Sequence, residues 1–173
     1  PLLARLKKAK VSLPGGCAIG TRPIDIHLTN LEKLGCEIHL SSGYVEAHVS
    51  EMKPGHVVLS FPSVGATENL MMAAVFTKGT TIIENAALEP EIDDLANFLN
   101  AMGARVEGIG TKKLVVHGVE RLNEVTYEAI GDRIEAATYL MAALATNSSI
   151  TIEGVNPQHI EFIIDLLKEM GAK

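Results

Sequence analysis

The 173-residue sequence contains no tryptophan, and aromatic residues make up only 4% of it. Its core must therefore be built from aliphatic side chains rather than stacked rings. There are two cysteines, Cys17 and Cys36, too few for a disulfide framework. His39, His48, His56, His117 and His159 lack zinc-like spacing with one another or with a cysteine pair. They read as surface or strand residues, and no metal site or cofactor is expected. A positive balance is also missing: the net charge of −6 argues against a nucleic-acid partner. No apolar run is long enough to span a bilayer and no secretory leader pattern is present, so no membrane partner is expected. The expected location is a reducing cytoplasm.

What is present is a repeat. The segment beginning at Met72, with its Ala/Met helical end, small polar turn and β-branched run through Glu84, recurs from Met141 to Glu153. The X-Pro helix starting near Pro90 recurs at Pro157, as suits a helix N-terminus. Ile92, Leu95, Leu99 and Met102 follow at helical spacing. A looser copy starts at Pro23. Gly35, Gly103 and Gly171 end the three helices at a constant spacing of 68 residues, each where a left-handed C′ residue is needed.

One full unit reads strand, helix, strand, helix, strand, strand. In the second copy these fall near Val57–Ser60, Ala66–Thr77, Thr80–Glu84, Glu89–Met102, Arg105–Glu107 and Lys113–Val116. The class is α/β (α+β), sheet on helix, in repeated βαβαββ units. A helix is expected over Pro1–Lys8, and a strand over the β-branched run after Ser149. The chain reads as about two and a half units, truncated at both ends, of a longer parent chain.

Copy-to-copy alignment puts two extra residues in the first copy, in the loop from Gly15 to Gly20. An expansion the scaffold does not require is a natural place for function. Three glycines flank Cys17 there, and Arg22, Asp25 and His27 follow. Glycine lets the backbone approach a ligand closely. A thiol beside fixed positive charge ionises more readily, and Arg5, Lys7, Lys8, Lys10 and Arg22 all precede the first acid, Asp25. Cys17 is accordingly the candidate nucleophile or general acid. Arg22 and Asp25 read equally as a solvated helix start or as ligand contacts. Ser63 and its repeat counterpart Asp132 are N-caps, with phosphate or sugar binding at a helix start as the alternative. Cys36 reads as a small buried hydrophobe, and Gly108-Ile-Gly110 as a tight turn, since the full dinucleotide fingerprint is missing.

Leu13-Pro-Gly-Gly-Cys-Ala-Ile-Gly-Thr-Arg-Pro-Ile-Asp25 resembles the active-site loop of the MurA family of UDP-N-acetylglucosamine enolpyruvyl transferases. The segments from Ser63 to Ala74, Asn85 to Ile92 and Asp132 to Glu135 are similar to that family too, so the resemblance runs along the whole chain. It implies an inside-out barrel of such units and transfer of the enolpyruvyl group from phosphoenolpyruvate to UDP-N-acetylglucosamine, with loss of phosphate, in peptidoglycan synthesis. It further implies that Cys17 protonates phosphoenolpyruvate and is the target of fosfomycin. Arg22, Pro23, Ile24, Asp25 and Ile26 would hold the uridine side, and Ser63, Val64 and Gly65 the diphosphate. By the same resemblance, residues 1–130 belong to the cysteine-loop domain and 131–173 begin a second. Further substrate contacts would lie beyond both ends, leaving this chain alone nearly inactive. A non-catalytic nucleotide-binding or structural fragment remains open as a reading. So does another enzyme on the same repeat, such as an RNA-end cyclase or the shikimate-pathway transferase.

Overall fold

The computed structural model describes residues 1–14 and 24–172. They form two compact units, Pro1–Tyr127 and Glu128–Lys173.

In the first unit, α1 (Leu2–Leu6) leads into β1 (Lys8–Ser12), then α2 (Asp25–Lys33), β2 (Glu37–Ser41) and β3 (Tyr44–His48). There follow β4 (His56–Val58), α3 (Val64–Ala74), β5 (Thr80–Glu84), α4 (Pro90–Ala101), β6 (Arg105–Glu107) and β7 (Lys113–His117). The strands make two sheets, ordered β1-β3-β2 and β4-β5-β7-β6. β1 and β2 both run antiparallel to β3, with Lys8 and Glu37 flanking His48. β5 and β6 both run antiparallel to β7, with Thr80 and Arg105 flanking His117. The repeat is thus one of topology as well as sequence: first strand, helix, then a hairpin whose last strand inserts between the other two. β4 joins β5 in parallel and completes the βαβαββ unit expected from the sequence.

The helices supply most of the core. α3 carries Ala66, Thr67, Leu70, Met71, Ala73 and Ala74, all buried, and packs against α1, α2, α4 and β5. A helix dominated by alanine, leucine and methionine, with Glu68 and Asn69 only partly buried, is suited to an interior position. Around it lie Leu34, Val57, Leu59, Ile83, Ile92, Leu114 and Val116, each almost wholly buried. This is the aliphatic core the composition demands. Cys36 is buried as expected, and burial pushes its thiol pKa up. Gly108 makes the β6–β7 turn at φ 79; a Cβ there would overlap the Lys113 carbonyl. Asp93 supports the same turn, its Oδ1 accepting the Gly110 N–H at 2.9 Å.

The second unit holds α5 (Arg133–Ala145), a 3₁₀ turn at Pro157–Ile160 and α6 (Glu161–Glu169). Ala136, Ala137 and Ile160 form its small core, with Leu140, Ile152, Val155, Ile163 and Ile164 packed around them.

Four sequence expectations need correcting. The first helix stops at Leu6, not Lys8, because Lys7 turns left-handed (φ 62) and its N–H closes on the Leu3 carbonyl at 3.0 Å. Lys8 is then free to open the ladder with β3. The run Ile150–Glu153 forms no strand. Its counterpart β5 is held between β4 and β7, whereas no described strand lies beside 150–153, so no ladder forms. The helix after Asn156 opens with a 3₁₀ turn, because one more residue separates Pro157 from Ile160 than separates Pro90 from Ile92. The tighter turn takes up the surplus. Finally, β1 ends at Ser12 and α2 starts at Asp25, while β5 ends at Glu84 and α4 starts at Pro90. The first connection therefore exceeds its repeat partner by more than two residues.

Candidate functional site

Of the residues singled out in the sequence, Cys17, Arg22 and Pro23 lie outside the described residues. The others fall at two helix starts. Ile24 is the N-cap of α2, without a side-chain cap, and Asp25 is its first residue. A carboxylate in the first turn complements the positive end of the helix dipole. Ile26 is the next residue of α2 and packs against the main core.

Ser63 caps α3. Its backbone is extended (φ −79, ψ 123), and its Oγ accepts the Ala66 N–H at 3.3 Å. Val64 and Gly65 form the first turn behind it. Thr67 locks this start in place: its hydroxyl donates to the Ser63 carbonyl at 2.8 Å and accepts the Ala87 N–H at 3.1 Å. In the second unit Asp132 caps α5 more fully, one carboxylate oxygen accepting from the Ile134 and Glu135 amides at 2.8 and 3.1 Å. The capping expectation thus holds at both repeat positions. A cavity of about 440 Å³ opens beside Asp132, lined in part by Glu135, Tyr139, Ile150 and Val155.

The starts of α2 and α3 meet. His27, in the first turn of α2, lies against Gly65: a Cβ on that glycine would stand 3.4 Å from the ring's Cε1 and 3.7 Å from its Nε2. The other ring nitrogen, Nδ1, is 3.0 Å from the Asn69 amide on α3. The two predicted segments, 24–26 and 63–65, are therefore brought together through His27. Burial lowers the pKa of His27, with Asp25 pulling it partly back up, so a neutral ring is favoured near pH 7. On the next turn of α3, burial and the neighbouring Glu91 raise the pKa of Glu68. Ile24, His27 and Asn69 also border an apolar cavity of about 320 Å³, together with Pro14, Val11 and Val45.

Sequence reasoning gave His27 no role and did not single out Asn69. The signal available for His27 was its place two residues after Asp25. For Asn69, 42 residues away, local pattern carries no signal. Chemically, two helix starts that meet offer first-turn N–H groups to an anion from two directions. Among the described residues, no group of three or more His, Cys, Asp or Glu is arranged to hold a metal ion. No helix among them is long and apolar enough to cross a membrane.

Comparison with known proteins agrees with this architecture. The chain is 54% identical over 172 residues to UDP-N-acetylglucosamine 1-carboxyvinyltransferase 1 of Carboxydothermus hydrogenoformans, covering 99% of the chain and 41% of the relative. It is 54% identical to UDP-N-acetylglucosamine 1-carboxyvinyltransferase 2 of Clostridium tetani, over 100% of the chain and 42% of the relative. The chain thus spans about two-fifths of the length of these relatives. Among solved structures, the enolpyruvyl transferase NikO from Streptomyces tendae matches with a TM-score of 0.78 at 22% identity, over 99% of this chain and 42% of that one. EPSP synthase from Acinetobacter baumannii matches with a TM-score of 0.69 at 23% identity, over 99% and 40%. These two likenesses establish the shared fold. The family model of EPSP synthase (3-phosphoshikimate 1-carboxyvinyltransferase) matches residues 1–173. With a βαβαββ unit, a repeated βαββ strand order and a match along its whole length, the chain belongs to the EPSP synthase family of enolpyruvyl (carboxyvinyl) transferases.

Proposed function

We propose that this chain carries the thiol and nucleotide side of an enzyme that moves the enolpyruvyl group of phosphoenolpyruvate to UDP-N-acetylglucosamine, with release of phosphate, in peptidoglycan synthesis. The observation that carries the reading is the meeting of the α2 and α3 starts at His27 and Gly65. The names of the relatives that match at 54% identity supply the substrate class.

In this reading Ile24, Asp25 and Ile26, with Arg22 and Pro23 ahead of them, hold the uridine side. An aspartate carboxylate can accept the N–H of a pyrimidine ring. Ser63, Val64 and Gly65 hold the diphosphate. There the first-turn N–H groups of α3 and the positive end of its dipole complement the negative charge, and Gly65 removes the side chain that would shield them. Phe61, which is exposed, stands close to this start without adding charge. Arg22 would grip phosphate through its planar fork.

Cys17 is the acid. Protonation of the methylene carbon of phosphoenolpyruvate makes C2 electrophilic; the sugar hydroxyl adds there, giving its proton to a base from the rest of the parent chain. The tetrahedral adduct then loses a proton from the new methyl group as the C2–O bond to phosphate breaks, which restores the double bond. A thiol in a basic neighbourhood is suited to such proton transfer. The remaining substrate contacts would come from the rest of the parent chain. Bacterial cytoplasm, where both soluble substrates meet, is the setting this function requires.

Mass spectrometry after incubation with fosfomycin tests the reading. The expected result is a single adduct on Cys17, formed faster with UDP-N-acetylglucosamine and absent from Cys17→Ser. Alkylation of Cys36 instead, or a Cys17 with an ordinary thiol pKa of about 8.5 and no response to the nucleotide, would point to a non-catalytic fragment.

A further inference from the structure

Among the described residues, a polar side-chain pair joins the start of α2 to the second turn of α3, and that pair has a direction. Asn69 Nδ2 lies 3.0 Å from His27 Nδ1. An amide nitrogen only donates, so Nδ1 accepts and the neutral ring carries its proton on Nε2. Nε2 has no hydrogen-bond partner among the described residues. The ring's Cε1–Nε2 edge lies against the first turn of α3, Cε1 3.4 Å and Nε2 3.7 Å from where a Cβ of Gly65 would stand. Because residue 65 is glycine, the ring edge can lie directly against the helix start. Burial keeps the ring neutral, against the opposing influence of Asp25.

We propose that Asn69 is a positioning residue, holding His27 in the Nε2–H tautomer so that the ring adds a neutral hydrogen-bond donor for a phosphate oxygen at the start of α3. This deepens the nucleoside-diphosphate reading above and rests on it. Neutrality matters to the role. A neutral donor adds direction without adding charge, so its contribution should change little with salt, unlike that of an exposed cation. Asn69 touches no ligand itself; it acts by denying the ring the Nδ1–H tautomer, in which Nε2 would turn a lone pair toward the phosphate and repel it.

The test uses the full 173-residue chain, with UDP as the probe. Long-range ¹H–¹⁵N spectra of the histidine rings report the tautomer directly. The expected result is an acceptor-type Nδ1 and a protonated Nε2 for His27, with Nε2 shifting on addition of UDP together with the Val64 and Gly65 amides. Asn69→Leu should leave the ring as a mixture of tautomers and weaken UDP binding roughly two- to tenfold, the range for one neutral hydrogen bond. Asn69→Asp keeps a side-chain contact but accepts the Nδ1–H; at a pH high enough to keep the ring neutral beside the carboxylate, Nε2 then carries a lone pair and UDP binding should weaken. A purely structural role for the pair predicts no change in UDP affinity for that variant once it is folded. The inference is overturned if His27 carries its proton on Nδ1 in the unsubstituted chain. It is also overturned if UDP moves the Val64 and Gly65 amides while His27 stays unchanged and Asn69→Leu binds normally. If those amides do not respond to UDP at all, the diphosphate reading itself falls, and this inference with it.

Discussion

α3 and α5 occupy the same place in the repeat, and they differ in almost everything except their caps. α3 is enclosed by three helices and two strands, and six of its residues are buried. In α5 only Ala136 and Ala137 are buried, while Ile134 is 63% exposed and Tyr139 53% exposed. Each begins with a polar residue that accepts its first-turn amides, Ser63 in one and Asp132 in the other. The start of the repeat helix is thus set locally by the cap. Its burial is set by what surrounds it.

The largest test of this contrast is a matched pair of substitutions at the seventh residue after each cap. Leu70→Ala, at a fully buried site, should cost about 3 kcal/mol through lost transfer energy and the cavity left behind. Tyr139→Ala should cost less than about 1 kcal/mol, as at other exposed positions. Urea unfolding with separate probes in each unit measures both, and equal losses would break the comparison.

Next in size is Thr67→Val. This swap keeps the shape but strands the Ala87 N–H in the core, at a cost of about 1–3 kcal/mol. An unchanged urea midpoint would show that Ala87 finds another acceptor.

The caps come third. Asp132→Ala and Ser63→Ala should each cost about 1 kcal/mol. The aspartate should cost more because it accepts two amides where the serine accepts one. Hydrogen exchange at Ile134, Glu135 and Ala66 reads the two helix starts independently. A larger effect at Ala66 would reverse the ranking.

The smallest effect is one of pH. His27 titrates below its ordinary value of 6.5 in the folded chain because burial disfavours the charged ring. Between the folded and unfolded values, the unfolded chain binds more protons, so stability rises with pH. The contribution is therefore complete above about pH 6.5 and shrinks as the pH falls through 6.5 toward the folded value. His27→Gln should flatten the curve of stability against pH in that window. A slope unchanged by the substitution would assign it to other groups.

Much of this architecture could be read from the residues. The three helix-ending glycines disclosed the period, and the second copy's strands and helices fall within a few residues of their expected places, because each is coded by local alternation, an X-Pro start or a glycine stop. Two of the errors share a cause. Lys8 joins a strand because β3 is there to receive it, and Ile150–Glu153 stays unpaired because no described strand lies alongside. Pairing is a property of two segments, and one segment's pattern does not contain it. The candidate site divides the same way. Ser63 and Asp25 were visible as helix starts, while the His27–Asn69 contact joins residues from different repeat units and leaves no periodic trace.

The Thr67 hydroxyl, which donates to Ser63 and accepts from Ala87, also limits how freely this protein can change. A single buried rotor with its donor and acceptor both engaged couples the strand-to-helix connection before α3 with the one after β5. Neither loop can then drift by even half an ångström without stretching a hydrogen bond in the other. Variation at these two connections should accordingly be correlated rather than independent. A designer who wishes to reshape the start of α3 would have to redesign the backbone around Ala87 in the same step.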